Sequence, residues 1–586
     1  MKKKLLFLTV LIMILQQTYS QTNIPGGVVE GTWTKLNSPY IIQGAILVPD
    51  SKILNIEPGV KVEFQGSYKF SIQGQINAIG IVNDSITFTS NNSSIGWLGI
   101  RFENTSATND DSDFSYCKFE YGRANSASPL DSGGAFFLDG YSKVNISNSL
   151  IENCYAEANG GAIFCDNGSS PTISNNTIKS NTANQRGGGI YAGDSCSPII
   201  ESNLITLNTV NQIAGAGIYQ YDFGGPGSPT INNNEITYNV AASGAEAGGM
   251  RVLSKSAIIT NNIIAYNETS GTIGGGGIYI GKVGSGGTGN IISHNIIVNN
   301  KSTNEINEYG GGGIFCTSDG IGDIIANNLI ANNTSKENGG GIYFSRSSPT
   351  MINNTIVNNN SRNGGGIFCK DSSNPEINNS IIWGNLASNS GNQIYIEDEG
   401  SDPNIYFTDI ENGMSGIQSE PNTFYLGEYL NNINSDPLFK NPSSGVGSNF
   451  DSVMSDWTLN SSPQSPCINQ VSPTSETSSL DLSGNQRVFE NLIDMGCYES
   501  QDVTLNIDEV SQNKQNLFSV YPNPSNATIN FNSKTKINKI TIFSITGQVI
   551  KKVSNYDIKE INISDLSSGI YLIQFNNNVI NRFIKK

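Results

Sequence analysis

Histidine is almost missing from this chain, since its 586 residues include one, His294. That excludes a His-rich metal centre and leaves any Ser-His-Asp, Cys-His or His-ligated zinc scheme resting on a single side chain. Basic residues are scarce too: 33 Lys plus Arg stand against 50 Asp plus Glu, a formal charge of −17. Phosphate recognition depends on Lys and Arg contacts and counterion release, so no nucleic-acid partner is expected. Long apolar runs are absent after Leu15. The one such run, Leu5 to Leu15, follows Lys2, Lys3 and Lys4 and precedes Thr18-Tyr19-Ser20, which places small residues where a signal peptidase reads. Residues 1–20 are expected to be a signal peptide, with no transmembrane segment in the mature chain and no cysteine nearby to take a lipid anchor. The eight cysteines, Cys117, Cys154, Cys165, Cys196, Cys316, Cys369, Cys467 and Cys497, are scattered. They read as small buried residues rather than a disulfide scaffold or zinc ribbon. A bridge between Cys467 and Cys497 is left open.

What the chain does have is glycine and asparagine, 63 and 78 residues, in a repeat. GGAFFL, GGAIFC, GGGIYA, GAGIYQ, AGGMRV, GGGIYI, GGGIFC, GGGIYF and GGGIFC recur with their third residues at Ala135, Ala162, Gly189, Gly217, Gly249, Gly277, Gly313, Gly341 and Gly366. Between them runs a second motif typified by TISNNTIKSN. It places Asn176, Asn203, Asn234, Asn262, Asn295, Asn328 and Asn354 in one column and Asn181, Asn208, Asn239, Asn267, Asn300, Asn333, Asn359 and Asn385 in another. The apolar segments are Ile-rich and three to five residues long, too short for helices and too short to bury a face alone. If each unit is one turn of a solenoid, every strand pairs in parallel with its copies and the Ile columns stack into a core. Asn suits the corners because it tolerates the left-handed conformation and its amide can bond along a stack of amides. The predicted fold class is all-β: a single-stranded right-handed parallel β-helix followed by a small β-sandwich.

The GGGIY and GGGIF units with their Asn-rich partners resemble the repeats of polymorphic outer-membrane proteins and the wider group of secreted, pectin-lyase-like β-helix proteins. That resemblance covers residues 131–390. Residues 21–130, with ILNIEPGVKVEF and WLGIRFE, resemble the opening coils and cap of such proteins. Residues 391–500, with SPCINQ, DLSGNQR and IDMGCYES, resemble their closing segment, in which the last coil is covered. Residues 501–516 read as a polar linker. In residues 517–586, YPNPSNATINF, TGQVIKK and LSSGIYLIQF resemble the C-terminal sorting domain of the type IX secretion system of Bacteroidota. The resemblance implies engagement of that machinery by this domain, removal of the domain, and release from or attachment to the cell surface. The tail carries nine basic and three acidic residues and the signal peptide three basic ones, which leaves −17 − 6 − 3 = −26 on the passenger.

Parity along the strand assigns the aromatic column. The residue after each aromatic (Leu138, Cys165, Ala192, Val252, Ile280, Cys316, Phe344, Cys369) is expected to face the core. The preceding aromatics then point the other way: Phe137, Phe164, Tyr191, Tyr219, Tyr279, Phe315, Tyr343 and Phe368, with Arg251 among them. As an exposed stripe these residues would suit sugar rings or a partner protein; as a stack covered by loops they would be a stabilising ladder. The function expected is a secreted or surface-attached, non-catalytic protein that binds an extracellular polysaccharide or mediates adhesion to a surface protein. The alternative is a polysaccharide lyase or glycoside hydrolase, as several β-helix families are. For that chemistry the chain offers Asp110, Asp111 and Asp113, and Glu397, Asp398, Glu399 and Asp402, in loops that lack a full calcium-ligand pattern. No catalytic residue, resident metal or cofactor is assigned. His294 is expected to be a corner residue hydrogen-bonded in the Asn ladder.

Overall fold

The computed structural model describes residues 21–502 and 518–586 except 223, 224, 226, 243, 283–286, 304–308, 318–321, 475, 476, 534, 546, 577 and 578. The expected signal peptide, residues 1–20, and the expected linker beyond residue 502 lie outside the described residues. The chain forms two units, residues 1–502 and 503–586.

The first unit is a parallel β-solenoid. One coil shows how the sequence makes it. Thr172–Ser174, Thr177–Lys179, Thr182–Ala183 and Ile190–Ala192 lie on a first, second, third and fourth sheet in turn. Each strand pairs in parallel with its counterparts one coil away, so that Ile173 sits between Ile146 and Ile200. Three of these sheets reach fifteen strands and the short third sheet ten. Alternate residues point inward, and columns such as Ile178, Ile205, Ile236, Ile264, Ile297 and Ile330 are fully buried. Each such Ile contributes on the order of 2 kcal/mol relative to an exposed one. In the early coils stacked aromatics fill the same interior, with ring centroids 4.5 Å apart for Phe64 and Trp97 and 4.9 Å for Phe88 and Phe119. Residues 21–130 thus contribute strands to the same sheets. Cys316 and Cys369 lie on either side of Phe344 in one inward column, and all eight cysteines are free and buried. Gln220 takes an apolar position in that column and donates to the Cys196 carbonyl at 3.3 Å.

The corners divide between two residues the roles the sequence reading gave to one. The left-handed conformation belongs to the residue before each ladder Asn: Asn175, Ser202, Asn233, Asn261, His294 and Asn327 before one column, Ser180, Leu207, Tyr238 and Tyr266 before the other. The ladder Asn itself turns inward and is buried. Asn267 is typical: its Nδ2 donates to the Ile236 carbonyl at 2.8 Å and to Asn300 Oδ1 at 3.0 Å, while its Oδ1 accepts from the Asn239 backbone N–H at 3.0 Å. These side chains meet corner N–H and C=O groups that the sheets leave unpaired inside an apolar core. His294 therefore stands beside the ladder, with its Nε2 against the Leu480 carbonyl oxygen at 3.1 Å, rather than in it. At the other corner Gly187 has φ +65°, and a Cβ on Gly188 would lie 2.5 Å from the Ala216 carbonyl oxygen of the next coil. The tripeptide is therefore small by necessity.

The closing segment differs from expectation. Instead of covering the last coil, residues 436–474 and 477–500 fold back along the outward face of the second sheet. Trp457, Leu459, Cys467, Met495 and Cys497 form one buried cluster there with Val298, Leu329, Val357 and Ile381. Backbone contacts fix the segment, with Cys497 N donating to Thr355 Oγ1 at 3.0 Å and Gly496 N to the Asn379 carbonyl at 2.9 Å. The physical reason is that the outward positions of this sheet are mostly apolar from Ile263 onward (Ile296, Leu329, Ile381, Trp383, with Thr355 among them) and need cover. Cys467 and Cys497 are not bridged; Cys467 Sγ donates to Asp409 Oδ2 at 3.1 Å.

The second unit has two antiparallel sheets. One comprises Phe518–Tyr521, Thr528–Ser533 and Glu560–Asn562, and the other Lys539–Ser544, Val549–Ser554, Gly569–Phe575 and Val579–Lys585. Ile529 and Phe531 of the first pack with Ile540, Ile542, Ile573 and Phe575 of the second, the core of a small sandwich.

The split of corner roles is testable by denaturant unfolding. Asn267→Ala, which orphans buried groups on both adjacent coils, is expected to cost about 2–4 kcal/mol. Asn261→Ala, which loses left-handed tolerance and one exposed hydrogen bond to Asn232 Oδ1, is expected to cost about 1 kcal/mol. Equal costs would contradict the assignment.

Candidate functional site

The fourth sheet builds the aromatic column. Register pairs Phe137 with Phe164, Phe164 with Tyr191 and Tyr191 with Tyr219; Tyr219 then pairs with Arg251 and Arg251 with Tyr279. Phe315, Tyr343, Phe368 and Tyr395 continue the column. Its parity is as expected: Ile280, Cys316 and Phe344 belong to the solenoid core, whereas the rings form separate clusters on the other side of the sheet.

The exposure of the stripe is a correction. Tyr191 is the most exposed of these rings at 9%, and Phe164, Tyr219, Tyr279, Phe315, Tyr343 and Phe368 are also buried. Rungs about 4.8 Å apart hold identical planar groups face to face, and each ring hides the faces of its neighbours. Centroids are 4.8 Å apart for Phe137 and Phe164, 4.9 Å for Phe315 and Tyr343 and 4.8 Å for Tyr343 and Phe368, with planes nearly parallel. Ile213, Tyr221, Ile273 and Tyr309 pack against the clusters. Burial pushes the Tyr191 and Tyr219 phenols up.

Arg251 does not interrupt this stack but joins its two halves. Its guanidinium lies 5.7 Å from the Tyr219 centroid and 4.6 Å from that of Tyr279, and it pairs with Glu246 at 3.1 Å. A second cation escaped the sequence reading. Arg101, fully buried, caps the column with its guanidinium 3.8 Å from the Phe137 centroid, Nε against Glu103 at 2.6 Å and Nη2 donating to the Pro129 carbonyl at 2.7 Å. The signal was its alignment with the aromatic column, visible only once the opening coils are in register. Beyond it the column shrinks to Ser71 and Leu47, leaving a cavity of about 300 Å³ bordered by Lys69 and Glu103. Glu103 is shared there between Lys69 and Arg101.

The acidic candidates do not converge. Asp113 Oδ1 accepts from Asn145 at 2.9 Å, and the carbonyls of Asp110 and Asp111 accept from Tyr141 and Gln75. Asp398 clamps a corner by accepting from the backbone N–H groups of Asp371 and Gly400 and from the Ser401 hydroxyl. Glu397 pairs with Lys370 at 2.8 Å, Asp402 accepts from Leu426 N at 2.7 Å, and Glu399 is exposed. Among the described residues no group of three His, Cys, Asp or Glu is placed to hold a metal ion.

The sequence reading also missed a charged knot inside the returning segment. Arg487, Asp494, Asp481 and Glu499 are all buried. Arg487 Nη2 donates to the carbonyls of Asp494 and Gly496, and Asp481 Oδ2 accepts from Glu499 N at 2.8 Å. Burial pushes Asp494 up to about 6 and, with Asp494 beside it, Glu499 up to about 8. Closed to solvent and tied to backbone, the knot fastens the segment.

Stacked parallel coils with Asn-lined corners define a right-handed β-helix, and the family described as right-handed β-helix region matches residues 77–252 and 242–410. The chain belongs to that family. Residues 519–586 match the secretion system C-terminal sorting domain, which places the protein among type IX substrates exported to the cell surface or beyond. No curated protein matches the sequence.

The ladder has a stability test. Arg251→Ala leaves Glu246 with its counter-charge removed and separates two ring stacks, and is expected to lower stability by about 2–3 kcal/mol in denaturant titration. Glu246→Gln combined with Arg251→Met should recover much of that loss. An Arg251→Ala variant as stable as the parent would show that the column is not a ladder.

Proposed function

We propose that the exported solenoid is a non-catalytic binding rod whose ligand is an extracellular polysaccharide. The observation that carries this reading is the employment of the carboxylates. Of those that a lyase or glycosidase would use as acid and base, Asp113, Asp398 and Glu397 are tied up in a side-chain hydrogen bond, a corner and an ion pair, and the run 110–113 lies on a different coil from the run 397–402. Paired-carboxylate hydrolysis needs two such groups flanking one bond. A rigid repeating rod outside the cell instead offers a long surface on which many weak contacts add up. The aromatic ladder serves this role by stiffening the rod, because its faces are taken by one another.

The test is a screen of the exported protein against a glycan array and a polysaccharide panel, with product followed by ultraviolet absorbance and reducing ends. Retention on at least one polysaccharide without turnover is expected. Chain cleavage, or retention on none, would overturn the reading.

A further inference from the structure

The four sheets differ in what they show to solvent. The ring ladder occupies the outward side of the fourth, and the returning segment covers the second from Ile263 onward. The third has mostly two-residue strands. Among the described residues the first sheet keeps two outward columns open over many coils. From Thr172 to Thr350 one column reads Thr172, Ile199, Thr230, Ile258, Ile291, Ile324, Thr350. Its neighbour two residues on reads Ser174, Glu201, Asn232, Thr260, Ser293, Ala326, Ile352. Ile199, Ile258, Ile291 and Ile324 are exposed by 42, 38, 36 and 37%.

Fourteen outward positions thus hold one charge, Glu201, on a passenger whose sequence carries −26. The charge has been kept off this face. We infer that the outward face of the first sheet, between Thr172 and Thr350, is the docking surface for an uncharged, extended polysaccharide. This rests on the binding function proposed above and adds the surface and the ligand class.

Three arguments choose this occupant. An acidic polymer would be repelled by the passenger as a whole and would find no cation on the face, whereas a neutral one is indifferent to both. A peptide adding as a strand needs a free sheet edge, and the strands here spend their backbone groups on the coils above and below. A second protein or second copy needs about 800 Å² per partner, but seven rungs about 4.8 Å apart and two side chains wide present only about 300–400 Å². A linear polymer is suited to such a strip. The Ile and Thr column offers methyl groups to the C–H faces of pyranose rings; beside it the Thr260 hydroxyl donates to Asn232 Oδ1 at 3.0 Å, which leaves the Asn232 NH2, the Thr260 lone pairs and the Ser293 hydroxyl for their edges. One coil advances about as far as one ring of an extended chain.

The experiment uses the protein as exported, with microcrystalline cellulose, chitin and mannan as neutral probes and pectate as the acidic one. The parent should be retained on a neutral probe, and high salt should not release it. The triple variant Ile258→Lys, Ile291→Lys, Ile324→Lys should lose about tenfold in affinity with an unchanged melting temperature, because these side chains stay outside the core. The corresponding triple Thr variant, which repeats a residue already present at Thr172, Thr230 and Thr350, should fold identically and lose several-fold. Lys179→Ala, on the second sheet, should change nothing. Retention of parent and both triple variants alike would overturn the face and leave the binding function standing. Retention on pectate alone would overturn the ligand class. Retention on none of the probes would overturn the ligand class here, and the wider function only if the full panel also failed.

Discussion

The structure depends on one constraint: a corner placed inside an apolar core must find partners for its backbone, and the only partner that recurs is the side chain of the same residue one coil away. Asn meets it because one amide both donates and accepts. Along each column a buried Asn bonds forward to the next Asn and back to an Ile carbonyl, as Asn208 does to Asn239 and Ile178, until Ser380 and Gln393 end the two ladders beyond Asn354 and Asn385. A coil that slipped by one residue would bury a left-handed corner residue and expose its ladder Asn, so the ladders fix register as well as stability.

Once register is fixed, everything else is replicated along the axis. The inward Ile columns stack, the tripeptides pass at the closest approach glycine allows, and the outward rings fall into a face-to-face ladder. Arg251 fits into that ladder because a planar guanidinium substitutes for a ring, and Glu246 balances its charge. Replication also distributes surface character: one face is sealed by rings, another by the returning segment, and a third is left open and nearly free of charge. Unequal coil lengths leave the pattern intact: Ile278 pairs with Ile314 across the longest repeat.

Much of this was legible in the sequence. The spacing of the Gly tripeptides and the Ile columns gave the solenoid, and strand parity gave the direction of each aromatic. Exposure was not legible, because it is set by neighbours on adjacent coils and by aperiodic residues such as Ile213, Ile273 and Tyr309. The corner roles were blurred by the Asn-Asn dipeptides, although Leu207, Tyr238 and Tyr266 at the preceding position already showed that it need not be Asn. The fold-back of residues 436–500 had a signal that went unread, the change of the second sheet's outward positions from an alternation of Leu150, Thr177, Leu204 and Glu235 to the unbroken run Ile263, Ile296 and Leu329. The Arg487 knot had none, since its members are brought together by a turn rather than a period.

The central claim, one unbroken register running the length of the repeats, is tested most directly by distance. The native cysteines are all buried, so spin labels can be directed to Cys introduced at outward first-sheet positions. Ser174 and Ser293 are four rungs apart and Ser174 and Asn378 seven. Dipolar spectroscopy on the two pairs should give backbone separations near ~19 Å and ~34 Å, growing linearly with rung number at about 4.8 Å each. Separations that fail to scale with rung number, or a broad distribution for either pair, would contradict a single register.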